Sequence, residues 1–147
     1  MRFACDAMLG KLARYLRILG FDAMYLRNAD LLDLQEREDD PPYFLTRRRK
    51  AVAYERTIYL KTENVRQQLE ELRGLIKPFV DPDEVLARCI NCNLPLVAAD
   101  KDAIEHRVPE FVFHTYNTFK TCPQCQRVYW AGTHTEHMAQ LIEEVTR

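Results

Sequence analysis

No stretch of this chain approaches the roughly 18 uninterrupted apolar residues that a membrane-spanning helix needs, and the N-terminus has no charged segment leading into an apolar run. Both absences predict a cytoplasmic protein with reduced thiols. Strong charge of one sign is also missing, since 21 Lys and Arg against 22 Asp and Glu leave a formal net charge of −1. Proteins that hold nucleic acid chiefly by non-specific electrostatics are usually far more basic. The five cysteines are odd in number, so a disulfide framework would leave one thiol over. There is no low-complexity segment, and no internal repeat apart from a pair of short cysteine motifs. What remains is globular in character, 47 % hydrophobic and 29 % charged over 147 residues. That suffices for one ordinary domain, or a small domain with a metal-stapled appendage.

The near-neutral total conceals an asymmetry. Residues 1–77 carry 15 Lys and Arg against 12 Asp and Glu, whereas residues 78–147 carry 6 against 10. The first half is therefore the better face for an anionic partner.

Four cysteines form two CxxC motifs, Cys89-Ile-Asn-Cys92 and Cys122-Pro-Gln-Cys125. Each can turn two thiolates toward one point, and four thiolates at about 2.3 Å complete a tetrahedral Zn²⁺ shell. A closed shell of that kind holds structure and does no chemistry. Cys5 stands far upstream with no partner of matching spacing.

Read in order, Arg2–Asp6 is an apolar run ending in an acid, a buried first strand. Leu9, Leu12, Ala13, Leu16 and Leu19 recur at three- and four-residue steps and predict a helix over 8–19, stopped by Gly20. Lys11, Arg14 and Arg17 are expected together on another face of it. Strands are predicted over 23–26, 43–46 and 57–60, a short acidic helix over 30–38, and a helix over 65–76 capped by Asn64. Alternating strands and helices imply an open parallel sheet with helices on its faces, whose ligands bind beyond the carboxyl ends of the strands. Asp6, Thr46 and Glu63 fall at such ends. The proline-containing segment 78–83 predicts a boundary between a domain over 1–80 and a ribbon with a closing helix over 81–147. Within the second part, strands are expected over 108–114 and 127–130, and the helix over 135–145.

Carboxylates gathered at strand ends suit Mg²⁺ or Mn²⁺, which prefer hard oxygen ligands and can activate water against a phosphodiester. Asp6 reads either as such a ligand or as a helix N-cap. Asp30, Asp33 and Glu63 read as helix-dipole partners or as further ligands. Lys11, Arg14, Arg17 and the cluster Arg47, Arg48, Arg49 and Lys50 can follow a nucleic-acid backbone or form a solvated face. His134 and His137 have a metal-like spacing, but with four thiolates present, capping or surface roles are the plainer reading, and His106 and His114 say less. Tyr129 and Trp130 can stack on bases or fill the core of the ribbon.

Three runs occur in order: Asp6-Ala-Met-Leu-Gly-Lys-Leu-Ala-Arg14 continuing to Gly20, Leu45-Thr-Arg47, and Cys122-Pro-Gln-Cys125 continuing through Trp130 to Gly132-Thr-His134. With the Cys89/Cys92 motif, the chain resembles the Mut-seven C-terminal RNase domain family, a PIN-like fold followed by a zinc ribbon. The resemblance implies a metal-dependent ribonuclease with Asp6 as first metal ligand. Thr46 would orient the cluster, and an acid near Asp30 would complete part of the site. The family pattern usually reads Leu-Thr-Arg-Asp where this chain has Arg48. A guanidinium there removes an oxygen ligand, repels a divalent cation and attracts phosphate. Farther on, only Glu63 could replace a later acid. Two expectations follow, a Mg²⁺- or Mn²⁺-dependent RNA hydrolase with a depleted site, or an inactive RNA-binding or protein-interaction module on the same fold. A weaker third is a toxin-like or regulatory partner whose ribbon is the interaction surface.

Overall fold

A computed structural model describes residues 1–26, 39–50, 52–132 and 136–147. The expected helix over 30–38, with Asp30 and Asp33, lies outside these residues, as do His134 and the side chain of His137.

Four short parallel strands form the first sheet: β1 (Arg2–Cys5), β2 (Asp22–Tyr25), β3 (Tyr43–Thr46) and β4 (Thr57–Tyr59), in the order β2-β1-β3-β4. Phe3, Ala4, Cys5, Phe44 and Leu45 are fully buried. Such continuous burial is what a parallel sheet covered on its faces demands of its central strands. Between β1 and β2 the chain forms a 3₁₀ turn, Ala7–Leu9, and then α1 (Gly10–Ile18), which buries Leu12, Ala13, Leu16 and Ile18. Helix α2 (Val65–Ile76) is capped by the side chain of Asn64, which accepts from the N–H groups of Arg66 and Gln67. It buries Val65, Leu69, Leu72 and Ile76 against the same core. Because β2 lies on one side of β1 and β3 on the other, the order of winding reverses between the carboxyl ends of β1 and β3. In open α/β sheets that reversal opens the crevice where ligands bind.

A second, antiparallel sheet contains β5 (Val97–Ala99), β6 (Phe119–Thr121) and β7 (Val128–Tyr129), in that order. Between β5 and β6 lie a 3₁₀ segment, Lys101–Arg107, and the short helix α3 (Glu110–Thr115). The strand expected over 108–114 is thus corrected to helix. Its apolar residues do not alternate, since Phe111, Val112 and Phe113 are consecutive, and the short helix buries Val112 while leaving Phe111 70 % exposed. Pro109 before the first turn and Glu110 within it suit a helix start.

The last helix, α4 (Glu136–Thr146), returns to the first sheet. Leu141 and Val145 are buried in the same cluster as Leu69 and Leu72 of α2, and Arg66 pairs with Glu144 at 3.1 Å. Gly20 ends α1 with φ +95°, and a Cβ there would stand 2.7 Å from the Glu84 carbonyl oxygen. A side chain would collide with the connecting segment at that point. No described helix is long and apolar enough to cross a membrane.

Candidate functional site

The two cysteine motifs fold as a matched pair. After each one the chain passes through a left-handed residue, Asn93 at φ 60° and Gln126 at φ 65°. In each the N–H of that residue donates to the carbonyl of the first cysteine at 3.0 Å. The first cysteine's own N–H donates to the residue following the left-handed turn, Leu94 at 2.8 Å and Arg127 at 3.1 Å. These turns bring the sulfurs of Cys89, Cys92, Cys122 and Cys125 within 4.8 Å of one another. Cys89 Sγ and Cys125 Sγ are 3.7 Å apart, close to the ~3.8 Å that a tetrahedron with 2.3 Å metal–sulfur bonds requires. The donor set therefore fits one structural metal ion, held by all four thiolates with no position left open. Burial opposes ionisation of Cys89, but hydrogen bonds from the Tyr129 hydroxyl and from the N–H groups of Cys92 and Asn91 bring its thiol down to about 6. The Tyr129 hydroxyl lies 3.3 Å from Cys89 Sγ and accepts from the Ile90 N–H at 3.2 Å. This support for a ligand had no signal in the residue spacing. Cys5 is separate from the cluster, and burial pushes its thiol up to about 12 despite the charge of Arg17.

At the reversal between β1 and β3, Asp6 is 4 % exposed and its backbone N–H donates to the Leu45 carbonyl at 3.0 Å. All of its acceptor positions are engaged. Oδ1 accepts from the Ala7 N–H at 2.9 Å and from Arg48 Nη2 at 3.3 Å. Oδ2 accepts from the Thr46 hydroxyl at 2.7 Å and from Arg48 Nε at 2.9 Å. The Arg48 backbone N–H donates in turn to the Thr46 hydroxyl at 3.1 Å. Burial alone would raise the Asp6 carboxyl. The hydrogen bonds from Thr46, Ala7 and Arg48, with the guanidinium charge, hold it below the ordinary carboxylate value. Sequence spacing left Asp6 as cap or ligand. Its geometry is that of a cap joined to a two-point guanidinium pair.

A carboxylate has about four lone-pair positions, and here each already has a donor. Glu63 does not join it; its side chain is 87 % exposed and meets Arg47 Nη2 at 3.5 Å. Among the described residues, only the four cysteines form a group of three or more ligands able to hold one metal ion. The described residues therefore do not fit a catalytic Mg²⁺ or Mn²⁺ beside Asp6.

Of the expected basic residues, Lys11 and Arg14 are exposed on α1, whereas Arg17 is not on that face. Its expected place in a phosphate-tracking row is corrected: Arg17 is 8 % exposed. Its Nε donates to the Ala23 carbonyl at 2.8 Å, and its Nη1 to the carbonyls of Ile90 at 2.7 Å and Asn91 at 3.4 Å. Arg17 fastens the first cysteine motif to the sheet, since a buried guanidinium is stable only with its donors satisfied. Asn93 adds a second tie, accepting from the Ala23 N–H at 3.0 Å and donating to Asp22 at 2.6 Å. Trp130 is half-buried against Phe119 within the ribbon's own core.

A parallel α/β sheet with a polar cluster at its winding reversal, joined to a four-cysteine metal module, defines the class of protein. Comparison with known families matches residues 1–142 to the Mut7-C RNAse domain. The chain belongs to that family, and so is a ribonuclease-type domain. No curated protein and no solved structure matches it.

Proposed function

We propose that this chain binds single-stranded RNA through its ribonuclease-type domain without cleaving it by a metal-dependent route. The observation that carries this reading is the Arg48 guanidinium seated on both oxygens of Asp6. It supplies positive charge where a hydrolytic site would place a divalent ion, and it uses the lone pairs that ion would need. A phosphodiester approaching the crevice meets the run of cations that follows β3. Arg48, Arg49 and Lys50 are exposed, and the Nε of Arg47 is buried with no hydrogen-bond partner among the described residues. Lys11 and Arg14, exposed at the start of α1 immediately after the crevice, continue the basic surface for flanking phosphates. The family assignment supports RNA as the polymer, and zinc as the ribbon's metal follows from the all-thiolate donor set. Thiolates kept as ligands suit a reducing, cytoplasmic setting.

A second reading, Mg²⁺- or Mn²⁺-dependent hydrolysis, draws on the 44 % exposure of the Arg48 side chain. A half-solvated guanidinium is able to leave Asp6 for an RNA phosphate. One experiment separates the two: labelled single-stranded RNA is followed for binding by anisotropy and for cleavage on a gel, with Mg²⁺ or Mn²⁺ present. Binding of intact RNA, retained in Asp6→Asn, is the expected result. Cleavage that Asp6→Asn abolishes would establish the hydrolase instead.

A further inference from the structure

Where α1 meets the first cysteine motif and α4, the surface opens into a cleft of about 180 Å³ lined by Lys11, Arg14, Tyr15, Ile18, Ile90 and Met138. Three separate parts of the chain build it. Lys11, Arg14 and Tyr15 come from α1, Ile90 from between two metal ligands, and Met138 from the closing helix. Among the described residues, Lys11 and Arg14 form neither an ion pair nor a side-chain hydrogen bond, and no acidic residue lines the cleft. Two unspent cations thus stand at the rim of an otherwise aromatic and aliphatic pocket. Ile90 is fixed there by two backbone hydrogen bonds. Its carbonyl accepts from Arg17 and its N–H donates to Tyr129, which leaves the half-buried side chain to face the cleft.

We infer that this cleft is a nucleotide subsite for the same RNA, with phosphate on Lys11 and Arg14 and a base lodged against Tyr15, Ile90 and Met138. Two observations argue for a nucleotide and against an apolar peptide or a bare anion. An anion alone has no use for the apolar wall, and an apolar side chain would leave both cations without partners. A nucleotide supplies a π-face and a phosphate together, the combination that single-strand binding sites exploit. The first subsite residue, Lys11, follows Arg48's partner Asp6 by five positions across the 3₁₀ turn Ala7–Leu9, so a strand lying over the crevice can run on into it. The ribbon then contributes directly to RNA binding through Ile90. This inference rests on the RNA-binding reading above.

The test measures binding of a short labelled oligouridylate, and of the same strand with abasic positions, to zinc-loaded full-length protein over a range of salt. The double variant Lys11→Ala/Arg14→Ala should lower the salt dependence, log K against log salt, by about 1.4, two phosphates' worth for a single strand. In wild type the base-bearing strand should bind roughly fivefold or more tightly than the abasic one. Ile90→Ser and Met138→Glu, separately, should shrink that preference while zinc content and circular dichroism stay unchanged. Wild-type binding with an unaltered salt slope in the double variant and an unaltered base preference in both others would overturn the subsite and leave RNA binding standing. Absence of RNA binding by wild type would remove both.

Discussion

Replacing Arg48 by methionine removes the guanidinium from Asp6 while keeping an unbranched side chain of similar reach. The carboxylate then stays buried with only the Thr46 hydroxyl and the Ala7 N–H to stabilise it. Hydrogen bonds to a charged group contribute about 1.5–3 kcal/mol each in favourable settings, and breaking a fully buried pair costs about 3–5 kcal/mol. Arg48 is 44 % exposed against 6 % for Asp6. Solvent screening therefore lowers the expectation to about 1.5–2.5 kcal/mol for Arg48→Met. Asp6→Asn should cost a similar amount, because the orphaned guanidinium can turn to water but the amide loses charge-assisted bonds. The assay is urea unfolding of zinc-loaded protein at neutral pH, as a double-mutant cycle. The expected coupling energy is about 1–2 kcal/mol, with the double variant more stable than the two single losses added together. A coupling below about 0.3 kcal/mol would refute the view that this pair organises the crevice.

Three further outcomes follow from other parts of the molecule. The protein as purified should carry about one zinc per chain, and Cys122→Ser should lose it and unfold the second sheet, as measured by metal analysis and by exchange of the β6 amides. Arg17→Met should destabilise by about 2–4 kcal/mol, since the carbonyls of Ala23 and Ile90 lose their donor. Arg17→Lys, which lacks the planar fork, should restore less than half of this in the same unfolding assay. The carboxyl carbon of Asp6 should titrate below the ordinary value of about 3.9. Because the folded value lies below the unfolded one, its contribution to stability is complete above that ordinary value and is lost as pH falls through the depressed one. A midpoint at or above 4 would contradict the hydrogen-bond arrangement.

Local pattern carried much of the fold. The strand Tyr43–Thr46 and the helix Val65–Ile76, with Asn64 as cap, have the bounds that apolar periodicity and capping chemistry predict. The four cysteines were legible because a CxxC turn is a local device, although the hydroxyl of Tyr129 on Cys89 depends on a fold-back of 40 residues. Arg17 misled because its charge outweighed its phase. It lies four residues after Ala13 and next to Leu16, within the buried arc of α1, and its partners come from 73 and 74 residues away. The segment over 108–114 misled because its cluster of Val and Phe also suits a strand, whereas Pro109 before the first turn and the burial of Val112 go with a turn of helix. For Asp6 and Arg48, the sequence showed an acid and an unexpected cation. Only the parallel pairing of β1 with β3, Cys5 opposite Leu45, sets their ends side by side.

On the proposed reading, Arg48 takes the place of a divalent ion at Asp6. The most direct test of that reading is a Mn²⁺ titration of zinc-loaded protein with selectively labelled aspartate, watching the Asp6 carboxyl resonance for paramagnetic broadening. This resonance should stay sharp in wild type and broaden only when Arg48→Asp replaces the cation with a second carboxylate. Selective broadening of Asp6 in wild type, at Mn²⁺ concentrations that leave exposed carboxylates unaffected, would contradict the reading.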